Sequence, residues 1–499
     1  MSNTPLSPSS GLPGRWRTLP QSLKDSVFYA AGILATKGIG FIMIPVFTAF
    51  LSPADYGRLD ILQTLADLFS IVLMLGLGDA LFRYYGMADR DDRNTVLRNI
   101  FGLSCLLSLV FSVSLQLLAP LILSVLPGEI DIISLRALLL SLGLSIGLFI
   151  PLCNFRMQGR ALDYFKTSTG RVIMQAALAA GLLYQGFGVN GVMLATAATS
   201  LFWVLKNTAE LYRENGIAFD LHLWKRYLGY GAPLIVAGLA GFVLRSFDRL
   251  LLADTIGVAA MAPYALAAKF GLLAALIVYP FELYWQPKKF AVLSQENGSE
   301  TCARMISLGL VLSALAALFM SLAAPYVIVL ITPGSYHDAV HYIAPLCFFA
   351  SLHFATQQVN LGLLSGTSTK WQAIIDCLAA CLAFGGYLLL IPLTGTWGAI
   401  LATGLVLSAR LIVTYAVSQR FHHLPYNLSA LTVLLGSTGI TIGFLTHSLQ
   451  AHSLFDPDHL LFGLCGTALV IWQAHLTGLL PSLDSLKAQM KGRDNAGTE

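Results

Sequence analysis

The sequence predicts an all-α integral membrane protein with about 14 transmembrane helices. Of its 499 residues, 56% are hydrophobic and only 11% are charged, whereas soluble domains carry about 25% charged residues. The apolar residues are gathered into segments of about 20, the length that an α-helix needs to cross the hydrocarbon core. Most of the 30 Lys and Arg residues lie in every second gap between these segments. A chain that crosses a bilayer many times has this pattern.

Fourteen apolar segments are candidate spans. Their predicted cores are 26–50, 59–82, 99–126, 133–153, 167–187, 190–210, 228–250, 258–284, 304–331, 341–364, 372–392, 396–418, 428–448 and 460–480. Basic residues precede the first segment, follow each even-numbered one, and recur in the C-terminal tail; Arg410 and Arg420 belong to this set. Because basic loops stay on the cytoplasmic side, both termini are predicted to be cytoplasmic.

The chain contains an internal repeat. The stretch GVNGVMLAT, Gly188 to Thr196, matches GTWGAILAT, Gly395 to Thr403, at an offset of about 205 residues. Six predicted helices separate the two copies, and because six is even the copies have the same orientation. This is the parallel-repeat arrangement, in which the substrate site lies between two lobes. The pattern predicts two six-helix lobes followed by a C-terminal helix pair.

The repeat and the polar linker predict the domain organisation. The predicted parts are a cytoplasmic tail (1–24), an N-lobe (25–212), a linker (213–223), a C-lobe (224–420), a helix pair (421–482) and a second cytoplasmic tail (483–499).

Several functional classes find no support in the sequence. The first apolar run is too long for a signal peptide. The seven cysteines form no cluster with histidines of the kind that binds zinc. There is no phosphate-binding loop for ATP, no tract for binding nucleic acid and no catalytic or metal site. No cofactor is expected, and the chain is interpreted as a transporter rather than an enzyme.

Two segments resemble a known family. The run IPVFTAFLSPADYGRLDIL, Ile44 to Leu62, is similar to the connection between the first two helices of the polysaccharide transporter branch of the multidrug/oligosaccharidyl-lipid/polysaccharide exporter superfamily. The run LRSFDRLLLADTIGVAAMAPYALAAKF, Leu244 to Phe270, is similar to its counterpart in the second lobe. Ala262 and Pro263 depart from that pattern, where the family often has Gly and a small apolar residue.

The resemblance implies a Wzx-type flippase. Such a protein would move an undecaprenyl-diphosphate-linked oligosaccharide across the bacterial inner membrane by alternating access, for O-antigen, capsule or exopolysaccharide biosynthesis. Membrane lipid, a polymerase and a chain-length regulator are the partners considered, and the transport unit is expected to be a monomer.

Charged residues inside the predicted spans are candidates for the transport site, because a charge in the bilayer usually faces a partner or a wet cavity. A diphosphate requires fixed positive charge, which Lys supplies as a point charge and Arg as a two-pronged donor. The predicted cationic cavity consists of Lys37, Arg83, Arg245 and Lys269. The alternative is internal pairing, such as Lys37 with Asp67 or Arg245 with Asp248, that holds helices together.

Other intramembrane charges are candidates for a gate or for coupling to an ion gradient. They are Asp67, Asp248, Arg249, Glu282 and Asp376. Asp60 and Asp67 are seven residues apart and so share one helix face. Two alternative functions stay open: a multidrug or cation exporter of the same superfamily, which would favour an acidic cavity, and a membrane glycan polymerase or ligase, which would need a large external loop.

Overall fold

The computed structural model describes residues 21–87, 89, 92–365, 370–451 and 457–479. The regular secondary structure in these ranges is helical, and no strand occurs within them. The prediction of an all-α fold is confirmed. Residues 1–20 of the predicted N-terminal tail and all of the predicted C-terminal tail lie outside the described residues.

The described part of the chain forms 18 α-helices and one 3-10 helix, Gly334–Ala339. The first nine are α1 Gln21–Phe50, α2 Pro53–Leu73, α3 Leu77–Met87, α4 Asp92–Val125, α5 Ile132–Met157, α6 Ala161–Tyr184, α7 Gly188–Asn215, α8 Leu221–Arg245 and α9 Phe247–Ile256. The others are α10 Val258–Trp285, α11 Lys289–Leu293, α12 Gly298–Ile331, α13 Val340–Val359, α14 Leu361–Leu364, α15 Lys370–Thr394, α16 Thr396–Phe421, α17 Leu428–Ala451 and α18 Pro457–Leu476.

Thirteen of the described helical segments are long and apolar enough to cross a membrane. They coincide with thirteen of the fourteen predicted spans. The other predicted span, 167–187, lies mostly in α6, a helix of 24 residues that ends at Tyr184. Arg171 and Gln175 interrupt its apolar stretch. Large apolar side chains point away from the protein, such as Leu330 at 84% exposure, as lipid-facing residues do. The exact number of spans remains a prediction.

Three predicted spans are interrupted in the structure. One of them, 341–364, divides into α13 and α14 at Asn360. The span 59–82 divides into α2 and α3, because Leu75 and Gly76 have positive φ values of 48° and 64°. The span 228–250 divides into α8 and α9 at Ser246, whose φ of −144° is not helical. Broken helices inside a membrane are tolerated where their free backbone groups are buried in protein or line a wet cavity.

The helices divide into two compact units. The first contains the described residues up to Val46, Phe69–Val125 and Asp131–Ile235. In it α4 approaches α5 closely, since a Cβ on Gly143 would lie 2.4 Å from Ser112 Oγ, and Ser108 Oγ donates to the Gly143 carbonyl at 2.9 Å.

The second unit contains Phe47–Leu68, Leu126–Ile130 and the described residues from Val236 onward. The end of α1 and most of α2 therefore pack with the later helices. A Cβ on Gly57 of α2 would lie 2.2 Å from the Val258 carbonyl oxygen at the start of α10. The Tyr336 hydroxyl donates to the Leu51 carbonyl at 2.8 Å. The predicted six-plus-six repeat and its sequential domain boundaries remain predictions.

Candidate functional site

A break between two helices positions three of the candidate residues in the second unit. Helix α8 ends at Arg245, Ser246 leaves the helical conformation, and α9 begins at Phe247. Asp248 and Arg249 consequently lie in the first turn of α9, next to the end of α8. Discontinuous helices of this kind form substrate and ion sites in transporters, because charged side chains and helix ends meet at the interruption.

Asp60 on α2 is the centre of the site. Its side chain is only 1% exposed. Oδ2 lies 3.5 Å from Nη1 of Arg249, and Oδ1 lies 3.5 Å from Nζ of Lys269 on α10. Lys269 Nζ also donates to Oε1 of Gln63, one helical turn along α2, at 2.9 Å. One buried carboxylate thus faces two cations from two different helices.

The Asp60 contacts leave hydrogen-bonding capacity unused. Both 3.5 Å separations are ion pairs without a hydrogen bond, and the buried Nε of Arg249 has no hydrogen-bond partner. A buried donor without a partner is unfavourable by about 1–3 kcal/mol. An acceptor at this position, such as a water or an anion, would satisfy it.

Asp248 has its own partner. It accepts a short hydrogen bond from the hydroxyl of Tyr264 on α10, and both side chains are buried. Among the described residues, Arg245 and Asp248 form no ion pair, so the internal pairing considered for them is absent there. Asp248 instead joins the start of α9 to α10.

Asp67 and Arg245 lie at the accessible edge of this group. Both are exposed. The Asp67 carboxylate interacts electrostatically with Arg249, Arg245 and Lys269. Since Asp60 and Asp67 are two helical turns apart, they present two carboxylates to the same set of cations.

Asp376 belongs to a second ion pair. Arg410 on α16 donates through Nε to Oδ1 of Asp376 at 2.8 Å, and Gln372 donates to Oδ2 at 2.9 Å. Arg410 also lies 3.3 Å from Nδ1 of His353. His353 interacts electrostatically with Arg245, which links this pair to the group around Asp60.

We call the combined set of charges the ionic cluster. It consists of Asp60, Asp67, Arg245, Asp248, Arg249, Lys269, Asp376 and Arg410. Four cations are balanced by four carboxylates, all from the second unit. The cluster therefore has cationic groups without a net positive charge, and an incoming anion would have to compete with the resident carboxylates.

The other predicted site residues lie elsewhere. Glu282 near the end of α10 is half-buried and interacts electrostatically with the buried Lys289. Lys37 on α1 and Arg83 on α3 belong to the first unit, and both are exposed. The structure thus brings together Arg245, Lys269, Asp67, Asp248, Arg249 and Asp376, and it groups Lys37 and Arg83 with other helices.

Sequence reasoning missed two central residues. Asp60 was noted only for sharing a face with Asp67, although its position inside a predicted span indicated a need for cationic partners. Arg410 was assigned to the basic end of a helix, yet its side chain is 4% exposed. Its place well inside the predicted span 396–418 was the available signal.

Comparison with known proteins places the chain in a family. A family model described as polysaccharide biosynthesis protein matches residues 22–282, just over half of the chain. The chain belongs to the polysaccharide biosynthesis protein family. The matched region includes the Asp60, Arg249 and Lys269 part of the ionic cluster.

Two proteins of Haemophilus influenzae match this polysaccharide biosynthesis protein over 55% of its length. It is 24% identical over 283 residues to the "Lsg locus putative protein 1" of Haemophilus influenzae, a match covering 55% of this chain and 67% of the relative. An "Uncharacterized membrane protein" of the same organism is 24% identical, with 55% of this chain and 66% of the relative covered. The matches thus span about two thirds of each relative.

Solved structures share the fold. The lipid II flippase MurJ, in an inward closed conformation, aligns with a TM-score of 0.64 and 11% identity over 90% of this chain and 100% of its own. An inward-facing multidrug resistance transporter of the MATE family aligns with a TM-score of 0.59 and 15% identity over 81% of this chain and 95% of its own. The family and the fold support a multi-pass membrane flippase or exporter rather than an enzyme, and the resemblance seen in the sequence is confirmed.

Proposed function

We propose that this protein is a flippase for undecaprenyl-diphosphate-linked oligosaccharide in the bacterial inner membrane. It would work by alternating access and serve O-antigen, capsule or exopolysaccharide biosynthesis, with a polymerase and a chain-length regulator acting on the exported units. The observation that carries the proposal is the buried Asp60 carboxylate between Arg249 and Lys269.

The substrate diphosphate would replace a resident carboxylate. Arg249 and Lys269 face Asp60 at 3.5 Å rather than in close hydrogen bonds, and Arg249 Nε is unpartnered. A diphosphate can accept several charge-assisted hydrogen bonds at once. Exchanging one anion for another keeps the cations paired, so binding avoids the cost of exposing an isolated charge to the bilayer. Arg245, at the accessible edge, would make the first contact.

Closure on the outer side would be provided by contacts of the first hairpin, which consists of α1, α2 and the turn between them. The charge pattern predicts that the α1–α2 turn, the 126–130 turn and the α9–α10 turn are all on the outer side. Within the second unit these segments meet: Gly57 abuts Val258, and Arg58 donates through Nε to the Gly128 carbonyl at 2.8 Å. Asp60 lies one turn along α2 from Gly57. A substrate bound at the ionic cluster would therefore act on the same helix that forms this closure.

A groove in the second unit suits the lipid part of the substrate. It has a volume of about 470 Å³ and is open. Helices α13, α16 and α17 line it with the apolar residues Phe348, Trp397 and Ile442, and α17 adds the polar residues Thr446, His447 and Gln450. An apolar isoprenoid chain would fit the apolar surfaces, whereas a sugar headgroup would need polar partners.

A complementation experiment tests the proposal. A strain lacking the gene would receive wild type, Lys269→Gln, Arg249→Gln or the control Arg304→Gln, whose side chain pairs with Glu300 on an exposed surface. The surface glycan and the cytoplasmic-face pool of lipid-linked units would both be measured. The two cluster variants should accumulate complete units inside at normal protein abundance. Losing one charge-assisted contact should slow export about tenfold or more.

The opposite results have distinct meanings. Full complementation by Lys269→Gln and Arg249→Gln would remove the ionic cluster from the transport site. Unpolymerised units on the outer leaflet in the deletion strain would indicate a polymerase.

A multidrug or cation exporter is the second candidate, favoured by the equal number of carboxylates in the cluster and by the exposure of Asp67. It would be indicated by unchanged glycan together with altered drug sensitivity in the deletion strain.

A further inference from the structure

Two arginines and two tyrosines form a stack in the first unit. The guanidinium carbon of Arg226 on α8 lies 4.7 Å from the ring centroid of Tyr84 on α3. The Tyr84 and Tyr230 rings are 6.0 Å apart in an edge-to-face arrangement. The guanidinium carbon of Arg83 lies 4.6 Å from the Tyr230 ring centroid. We call this set the Arg–Tyr stack.

The backbone holds the two helices of the stack in register. A Cβ on Gly231 of α8 would lie 1.9 Å from the Leu75 carbonyl oxygen, and one on Gly76 would lie 2.5 Å from the Gly231 Cα. Only glycine permits such an approach. The break between α2 and α3 is therefore pressed against α8, two turns from Tyr84. Buried Tyr227, 5.2 Å from Tyr84 between ring centroids, fills the space beneath.

Among the described residues, no hydrogen bond or ion pair engages the N–H groups of Arg83 or Arg226. Stacking on an aromatic ring uses the face of a guanidinium, while its five N–H groups point outward in the plane. Arg83 and Arg226 are exposed, and within the described ranges neither forms an ion pair with a carboxylate. Arg160 of the same unit differs, because Asp163, Glu210 and Glu214 occupy its donors at 2.8–3.0 Å.

The carboxylate nearest to Arg226 along the chain has other partners. Asp220, just before α8, accepts from the backbone N–H groups of His222 and Leu223 at 2.8 and 3.3 Å. It caps the helix. Two pre-oriented guanidiniums thus remain available to an external anion, and planar forks of this kind match phosphate oxygens.

The location of the stack indicates what the anion is attached to. Tyr84 and Arg83 lie near the end of the candidate span Pro53–Met87, and Arg226 and Tyr230 lie near the start of Leu221–Arg245. Tyrosine and arginine at a span end are at headgroup depth. The basic loops beside these ends predict the cytoplasmic side, where anionic lipids attract clustered Arg.

We infer that the Arg–Tyr stack is a binding site for the phosphate group of a membrane lipid on the cytoplasmic side. The ligand chemistry is a phosphate or diphosphate ester on an apolar chain. An acidic phospholipid and a polyprenyl diphosphate both supply it. The inference does not require that the protein transports glycans, since the site would bind either lipid without moving it.

Lipid titration of the purified, full-length protein tests the inference. The melting temperature in detergent would be followed as phosphatidylglycerol, geranylgeranyl diphosphate or phosphatidylcholine is added. The variants are Arg83→Gln/Arg226→Gln, Arg83→Lys/Arg226→Lys and, as a control, Arg304→Gln. Wild type should be stabilised saturably by at least one anionic lipid and not by phosphatidylcholine. The Gln double variant should need about tenfold more of that lipid, as expected for the loss of charge-assisted contacts.

The comparison between probes and variants decides the outcome. A response to phosphatidylglycerol alone identifies a phospholipid site, and a stronger response to geranylgeranyl diphosphate identifies a site for the lipid carrier. The Lys double variant should weaken binding less than the Gln one, because charge survives without the planar fork. Equal titration curves for wild type and the Gln double variant, or an equal loss in Arg304→Gln, would overturn the inference. If the Gln double variant does not fold, the single variant Arg226→Gln takes its place in the titration. A titration curve equal to that of wild type would then overturn the inference.

Discussion

Arg410 on α16 forms an ion pair with Asp376 on α15 through two nitrogens. Nε lies 2.8 Å and Nη2 lies 2.7 Å from the same carboxylate oxygen. Arg410 is 4% exposed and Asp376 is 25% exposed. Removing one member of such a pair leaves the other charge unmatched inside the membrane, which is more harmful than removing both.

Arg410→Met is therefore expected to lower stability by about 3 kcal/mol, reduced somewhat by the partial exposure of Asp376. The double variant Arg410→Met/Asp376→Leu should recover much of that loss. The melting temperature of each purified variant in detergent provides the measurement. A double variant that is less stable than both single variants would show that the pair contributes more than mutual neutralisation.

Gly57→Ala should loosen the contact between α2 and α10. The new Cβ would lie 2.2 Å from the Val258 carbonyl oxygen, and backbone cannot move aside as a flexible side chain can. Because the displaced helix carries Asp60, the melting temperature should fall. If the protein has the proposed flippase function, glycan export should fall as well. Gly385→Ala is the matched control, since no atom lies within 4 Å of its Cβ position. It should be neutral or slightly stabilising, and an equal loss in both variants would refute a local effect.

Tyr336→Phe should weaken the outer-side closure without disturbing packing. The change removes only the hydroxyl that donates to the Leu51 carbonyl, and the lost hydrogen bond is worth about 1 kcal/mol. A cysteine placed at Leu51, in a background lacking the seven native cysteines, should then react about fivefold faster with a membrane-impermeant maleimide. Labelling from outside intact cells measures this rate. An unchanged rate would mean that the hydrogen bond does not hold the segment closed.

The stabilising role of Asp131 should depend on pH. This residue precedes α5, and hydrogen bonds from the Ile133 N–H and the Asn190 side chain lower its pKa below the ordinary value. A lowered pKa in the folded state stabilises the protein above the ordinary value of about 4, and that contribution is lost as the pH falls through the folded-state pKa. Asp131→Asn should melt slightly below wild type at pH 7, because the amide still caps the helix but loses the negative charge that strengthens both hydrogen bonds. The two proteins should converge under acidic conditions, and a constant difference across the titration would rule out the carboxylate as the cause.

Hydropathy alone located the membrane helices, because twenty apolar residues have few other stable environments. The interruptions were not predicted. Leu75 carries no special sequence signal, and its left-handed conformation accompanies the close approach of α8 at Gly231. The partners of Asp60 were equally beyond local patterns, since Arg249 and Lys269 lie about 190 and 210 residues further along the chain. A carboxylate inside a predicted span indicates that it needs a cationic partner. Which residues serve as that partner is determined by tertiary packing alone.

The grouping of α2 with the later helices has a consequence for biosynthesis. Asp60 leaves the ribosome about 210 residues before Lys269, an interval of roughly 10–40 s at ordinary elongation rates. For most of that time the carboxylate lacks both of its cations, since Arg249 emerges only 20 residues before Lys269. A bare charge in the bilayer is strongly unfavourable. The first hairpin should accordingly remain beside the insertion machinery, or in contact with water, until α9 and α10 emerge. The time at which the first hairpin completes its insertion would then depend on the synthesis of Arg249 and Lys269, and not on the order in which the spans are made.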